Sequence, residues 1–115
     1  MTKDQPKEPQ FLYLTTVGRN SGKPREVEIW FTRRDGRFYV ISEMRERAQW
    51  VRNILANSAV EVRVASEVFR ARARSIDPSR EPALAEAVRQ LSRTKYGWGE
   101  GLIVELTPQD LKGAS

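Results

Sequence analysis

The sequence contains neither cysteine nor histidine. Without cysteine there are no disulfides, no thiolate nucleophile and no sulfur-ligated metal. Without histidine the usual imidazole base and imidazole ligand are missing as well. Most hydrolytic mechanisms are thereby excluded and no metal site is expected. What is left for chemistry is carboxylates, hydroxyls, Lys, Arg and any borrowed cofactor. Long apolar runs are missing too, since no stretch approaches the roughly 20 residues needed to cross a bilayer. Met1–Gln10 (MTKDQPKEPQ) carries charge and proline where a secretory signal carries an apolar core. A cytoplasmic protein without a transmembrane segment is expected, with peripheral membrane contact left open.

The 115 residues allow one compact domain, and 39% hydrophobic with 30% charged residues is ordinary for a globular chain. The core is thin for a free-standing monomer of this size, so a homodimer is expected. The net charge of +5 makes nucleic acid, acidic lipid and anionic small molecules legitimate partners. Because Lys and Arg are spread along the whole chain, a solvated basic surface is an equally simple reading.

Residues 1–10 read as a loosely attached arm, with one domain over 11–115. Phe11–Val17 is aromatic and β-branched and predicts a strand, followed by the turn-former cluster GRNSGKP. Arg25–Arg33 alternates with period two, Asp35-Gly36 supplies a hairpin turn, and Arg37–Ser42 returns as the partner strand. Gln49–Ala56 has helical apolar spacing. Ala59–Val64 and Val68–Ile76 alternate again, the second placing Arg70, Arg72 and Arg74 on one face. Arg80–Thr94 predicts a second amphipathic helix whose apolar face is Leu84, Ala87, Val88 and Leu91. Leu102–Leu106 predicts a last buried strand. The expectation is a mainly β fold with two helices, six antiparallel strands closing or nearly closing into a barrel, because closure removes exposed edges.

Three segments carry candidate chemistry. Gly18–Arg25 (GRNSGKPR) sets flexible backbone amides beside Arg19, Ser21, Lys23 and Arg25, a combination suited to an oxyanion. It is not a P-loop, and a solvated basic turn would look the same. In Ser42–Arg52 the arginines Arg45, Arg47 and Arg52 stand close to Trp50, so a flat anionic ligand could pack on the ring, or Trp50 could simply anchor the helix in the core. In Lys95–Gly101 (KYGWGEG) Tyr96 and Trp98 sit among glycines, either as an aromatic lid over a ligand or as a plug at the barrel mouth.

Two separated motifs, LTTVGRNSGKPR within Leu14–Phe31 and WVRNILANSAVEV within Gln49–Val64, resemble the LTTxGRxSGxxR and WxxNLxANPxVxV segments of the deazaflavin-dependent nitroreductase and quinone reductase family. The resemblance implies a split β-barrel like that of pyridoxamine-phosphate-oxidase-type flavoproteins, dimeric as a rule. It also implies a reduced deazaflavin (coenzyme F-420) whose hydride passes to a quinone, nitro compound or similar small acceptor. On it, Ser21, Lys23 and Arg25 hold the phosphate and acidic tail, Trp30 and Ser42 face the cofactor, and Trp50 matches the Trp that opens the family helix. Arg45 and Arg47 join this set from charge and position, and Tyr96 and Trp98 mark a substrate pocket. No catalytic acid or base is assigned. Departures from the family pattern are Asn20, where Lys or Arg is common, and Glu43-Met44-Arg45-Glu46 in place of a Gly-rich basic loop.

Two other classes stay open on the residues alone: a sibling that binds FMN, and a non-enzymatic ligand-binding module. Nucleic acid is not expected, since no strand alternates aromatic with basic residues as a base-stacking platform would.

Overall fold

The computed structural model of the protein describes residues 8–109. Its elements in chain order are β1 (Phe11–Val17), β2 (Pro24–Trp30), β3 (Thr32–Arg34), β4 (Arg37–Ser42), α1 (Gln49–Ala56), β5 (Ala59–Val64), β6 (Glu67–Ile76), α2 (Pro82–Tyr96) and β7 (Leu102–Pro108). All strands belong to one antiparallel sheet in the order β2-β1-β5-β6-β7-β4-β3. The two edge strands, β2 and β3, are separated in sequence by Phe31 alone. A single residue thus ties one edge of the sheet to the other, which forces the sheet to curl into a split barrel.

That link corrects the expected strand count from six to seven. The alternation of Arg25–Arg33 reads as one strand, but the chain turns a corner at Phe31, whose ring is buried and whose backbone leaves the ladder. The lost ladder partners are replaced from α2. The Phe31 N–H donates to the Tyr96 hydroxyl at 3.0 Å, and the Phe31 carbonyl accepts from Lys95 Nζ at 3.0 Å. Because Lys95 serves that carbonyl, the single Tyr96 hydroxyl proton can go to the Gln10 carbonyl at 2.7 Å.

Period-two patterning sorts the side chains into two cores. Leu12, Leu14, Val60, Val62, Val64, Ala71 and Ala73 fill the barrel with Phe38, Val40, Val104 and Leu106, and Ile54 of α1 caps one end. On the other face of β4 and β7, Tyr39 and Ile103 meet Ile76 and the α2 residues Ala85 and Val88. β7 is therefore covered on both faces, and four of its residues in a row, Ile103 to Leu106, are buried. Each Val, Leu, Ile or Phe side chain fully withdrawn from water here contributes about 1.5–3 kcal/mol.

The second helix departs from expectation in position. The Asp77 carboxylate accepts from the Ser79 N–H and hydroxyl and closes a turn, but α2 starts only at Pro82, whose fixed φ suits a first helical position. It runs to Tyr96 and stops at Gly97, which takes the left-handed conformation at φ 77°. The buried stripe is Ala85, Val88 and Ser92, while Leu91 is exposed. Among the described residues no helix is long and apolar enough to cross a membrane.

Candidate functional site

The basic loop after β1 is built by its own backbone. The Gly18 N–H donates to the Lys23 carbonyl at 2.8 Å, and the Gly22 N–H donates to the Gly18 carbonyl at 2.7 Å. Gly22 takes φ 74°, and a Cβ on Gly18 would stand 2.8 Å from Ser21 Oγ. That hydroxyl accepts from the Lys23 N–H. The loop is then anchored from α1 by a buried Asn53. Its Oδ1 accepts from both the Arg19 N–H at 3.1 Å and the Arg19 guanidinium at 2.9 Å, and its Nδ2 donates to the buried Thr16 hydroxyl at 3.0 Å. Gln49 takes a second Arg19 N–H at 2.8 Å.

Arg19 is thus held by neutral amide oxygens and keeps its charge. Neither it nor Arg25 joins an ion pair among the described residues. Both line a hollow of about 380 Å³, with Ser21, Val27, Gln49, Trp50 and Asn53 in its wall and no carboxylate. This donor set fits a phosphate or another oxyanion, with Trp50 in the same wall.

From this hollow β2 leads to a second one. Arg25 and Val27 border the first; Glu28, Ile29 and Trp30 border the second, of about 510 Å³, together with Phe11, Ile41, Glu43 and Trp98. Trp30 is 41% exposed although it is stacked on Tyr96, with ring centroids 4.3 Å apart and planes 3° from parallel, and Trp98 meets it edge-on at 6.3 Å. The Lys95–Gly101 segment is tied down. The Ser92 hydroxyl donates to the Trp98 carbonyl, Arg89 donates to the Gly99 carbonyl at 2.8 Å, and Gly99 lies against the Arg89 backbone where a Cβ would not fit.

Of the residues singled out in the sequence, Ser21, Arg25 and Trp50 share the first hollow, and Trp30 and Trp98 share the second. Tyr96 lies behind Trp30 with its hydroxyl committed to the Phe31 corner. Ser42 is buried, and its hydroxyl donates to the Arg45 carbonyl at 3.0 Å, ordering the loop after β4. Lys23, Arg45 and Arg47 are exposed and line neither hollow, the last two forming a short turn of 3-10 helix at Arg45–Arg47. Arg19 lines the first hollow, in keeping with its place in the basic loop, while Asn53 was not singled out. A signal existed for Asn53: a short polar side chain in a helix interior competes with the helix unless it has a specific partner.

One buried network lies beside these sites. Glu105, almost fully buried, accepts from the Tyr39 hydroxyl at 2.9 Å and pairs with Arg74 at 3.1 Å, and Arg74 pairs with Glu81 ahead of α2 at 2.6 Å. Burial first, then the bond to Glu105 and that carboxylate's charge, push the Tyr39 phenol up to about 12. Arg74 holds Glu81 below the usual carboxylate range. Among the described residues no three acidic groups gather as a metal site would require.

Solved structures share this fold. An F420-H2 dependent reductase is 21% identical, with 89% of this chain and 97% of that chain covered and a TM-score of 0.62. A FAD-binding protein from Mesorhizobium loti is 16% identical over 88% of this chain and 82% of its own, with a TM-score of 0.66. A chain described as a domain-swapped dimer is 21% identical over 89% and 83%, at 0.60. No curated protein matches the sequence. The sequence model of the F420H(2)-dependent quinone reductase family matches residues 2–99, and the chain belongs to that family.

Proposed function

We propose that this protein passes hydride from a reduced deazaflavin to a quinone, a nitro compound or a similar small flat acceptor, as a cytoplasmic homodimer with one cofactor-binding domain over 11–115. The observation that carries the reading is the pairing along β2 of an arginine-lined hollow free of carboxylates with an aromatic hollow. Arg19, Ser21 and Arg25 bind the phosphate and acidic tail, and Lys23 adds positive potential at the rim. Trp50 flanks the tail and Trp30 borders the ring and the acceptor. Ser42 keeps the Arg45–Arg47 turn in place, so that its two guanidinium groups add to the field that attracts the anion.

When bound, the coenzyme supplies a hydride, which together with one proton from solvent converts a quinone to a hydroquinone. The protein's share of the work is orientation. Asn53 holds the loop before the anion arrives, Tyr96 fixes the plane of Trp30, and the apolar lining of Ile29, Ile41 and Trp98 keeps water from the acceptor. The dimer draws support from the related chain described as a domain-swapped dimer, and from a small barrel with exposed apolar residues at Phe11, Trp30 and Met44.

The test is titration of the purified protein with reduced and oxidised deazaflavin and with FMN, followed by absorbance and Trp fluorescence. Arg25→Ala should weaken deazaflavin binding by about tenfold or more, the worth of a charge-assisted contact, while its unfolding midpoint stays that of the wild type. Absence of deazaflavin binding, or an Arg25→Ala variant that binds as well as wild type, would overturn the proposal.

A further inference from the structure

The two hollows bordered by successive stretches of β2 carry opposite charge. The first presents Arg19 and Arg25 and no acid. The second presents Glu28 and Glu43 and no base, on a wall otherwise made of Phe11, Ile29, Trp30, Ile41 and Trp98. Both carboxylates are exposed, and neither is in an ion pair among the described residues, whereas the neighbouring Glu26 on the same strand is paired with Arg63 at 3.3 Å. Among the described residues no ion pair neutralises either carboxylate at the rim of the aromatic hollow.

Resting on the function proposed above, we infer that Glu28 and Glu43 set the charge class of the acceptor: the aromatic hollow takes flat uncharged or cationic rings and turns away those bearing a carboxylate or sulfonate. The ring surface supplies affinity without regard to charge, because every flat π-system can stack on the free part of Trp30 or meet the edge of Trp98. The carboxylates act on the difference between acceptors. They also keep the acidic tail of the coenzyme out of the acceptor's place, so that the anion has one favourable register along β2, tail toward Arg25 and ring toward Trp30. Repulsion of this kind is a means of specificity separate from attraction. Two exposed charges several ångströms from a ligand anion, acting through water, should discriminate by about five- to tenfold at low salt.

Direct binding of three probes tests this without coenzyme: naphthoquinone, naphthoquinone sulfonate and a trimethylammonium-substituted naphthoquinone. Trp50→Phe protein is used, leaving Trp30 and Trp98 as the only tryptophans, so that quenching reports the aromatic hollow and a sulfonate captured at the arginine hollow does not mislead. The sulfonate should bind about five- to tenfold more weakly than the neutral quinone, and the cation at least as tightly as the neutral one. Glu28→Gln/Glu43→Gln should bring the sulfonate to within about twofold of the neutral quinone and leave the neutral affinity unchanged, and added salt should shrink the same ratio in the parent. Equal affinities in the parent, a ratio unmoved by the double variant, or no quenching by any probe would overturn the inference. A protein that binds deazaflavin but lacks this bias loses only the charge filter, whereas one that shows the bias but binds no deazaflavin loses the function proposed above.

Discussion

The two helices do comparable jobs at opposite corners of the barrel with different chemistry. At one corner α1 inserts the neutral amide of Asn53 between Thr16 and the Arg19 loop, satisfying backbone and side chain without using any charge. At the other, the last turn of α2 inserts Lys95 and Tyr96, and the ammonium is fully engaged by Glu8 at 2.8 Å, the Pro9 carbonyl at 2.9 Å and the Phe31 carbonyl at 3.0 Å. It also lies 4.0 Å from the centre of the Phe31 ring. The lesson is about where positive charge remains available. At the α1 corner the Arg19 guanidinium is positioned but not neutralised, which suits a site for an anionic ligand. At the α2 corner the cation is spent on closing the barrel.

Three experiments would break or sharpen this contrast. The largest effect belongs to Asn53→Ala, which strips partners from the buried Thr16 hydroxyl and the Arg19 N–H and frees the loop. Chemical denaturation should show a loss of about 2–3 kcal/mol, and deazaflavin affinity should fall with it. Next is Tyr96→Phe, which leaves the Phe31 N–H without its acceptor but preserves the stack on Trp30. A loss of about 1–2 kcal/mol in the same measurement, with deazaflavin affinity unchanged, would place this corner in closure alone. An affinity loss matching that of Asn53→Ala would erase the contrast.

The last experiment is one of pH and concerns the α2 side, where Tyr39 lies beneath the helix. A phenol with its folded pKa raised from 10.0 to about 12 contributes stability that is complete below pH 10 and is lost as pH climbs toward 12. Unfolding free energy should therefore decline across that window in the wild type, and Tyr39→Phe should flatten the decline. Equal slopes in the two proteins would mean that the phenol titrates alike folded and unfolded.

Local patterns in the sequence were faithful wherever an element's own side chains decide its structure. Phe11–Val17, Arg37–Ser42, Gln49–Ala56 and Ala59–Val64 have the bounds that alternation and helical spacing predict. The break at Phe31 was hidden because its cause lies about 65 residues away in Lys95 and Tyr96, and no local periodicity records a remote hydrogen bond. The face of α2 was read correctly at Val88 and Leu84 but not at Leu91, for a related reason. Leu91 reads as core by hydropathy, yet Ser92 faces inward because its hydroxyl meets the Trp98 carbonyl. For the site, residue types pointed to Ser21, Arg25 and Trp50, but only the fold reveals that Asn53 anchors the loop through Arg19 and that Lys23, Arg45 and Arg47 stand outside the hollow.

The place of β7 in the sheet has a consequence for how the chain folds. Everything synthesised before it can form only two separate ladders, β2-β1-β5-β6 and β4-β3, and β7 is the strand that pairs with both β6 and β4. The piece that completes the sheet thus arrives last, just after the Lys95 and Tyr96 that close the Phe31 corner. Pairings so distant in sequence are slow to nucleate, because the entropy of closing the intervening loops is spent before the contacts return it. Assembly should then occur in one late cooperative step, with neither ladder persisting alone, and a chain that has not yet exposed residues 102–108 should still be open along the seam that β7 will fill.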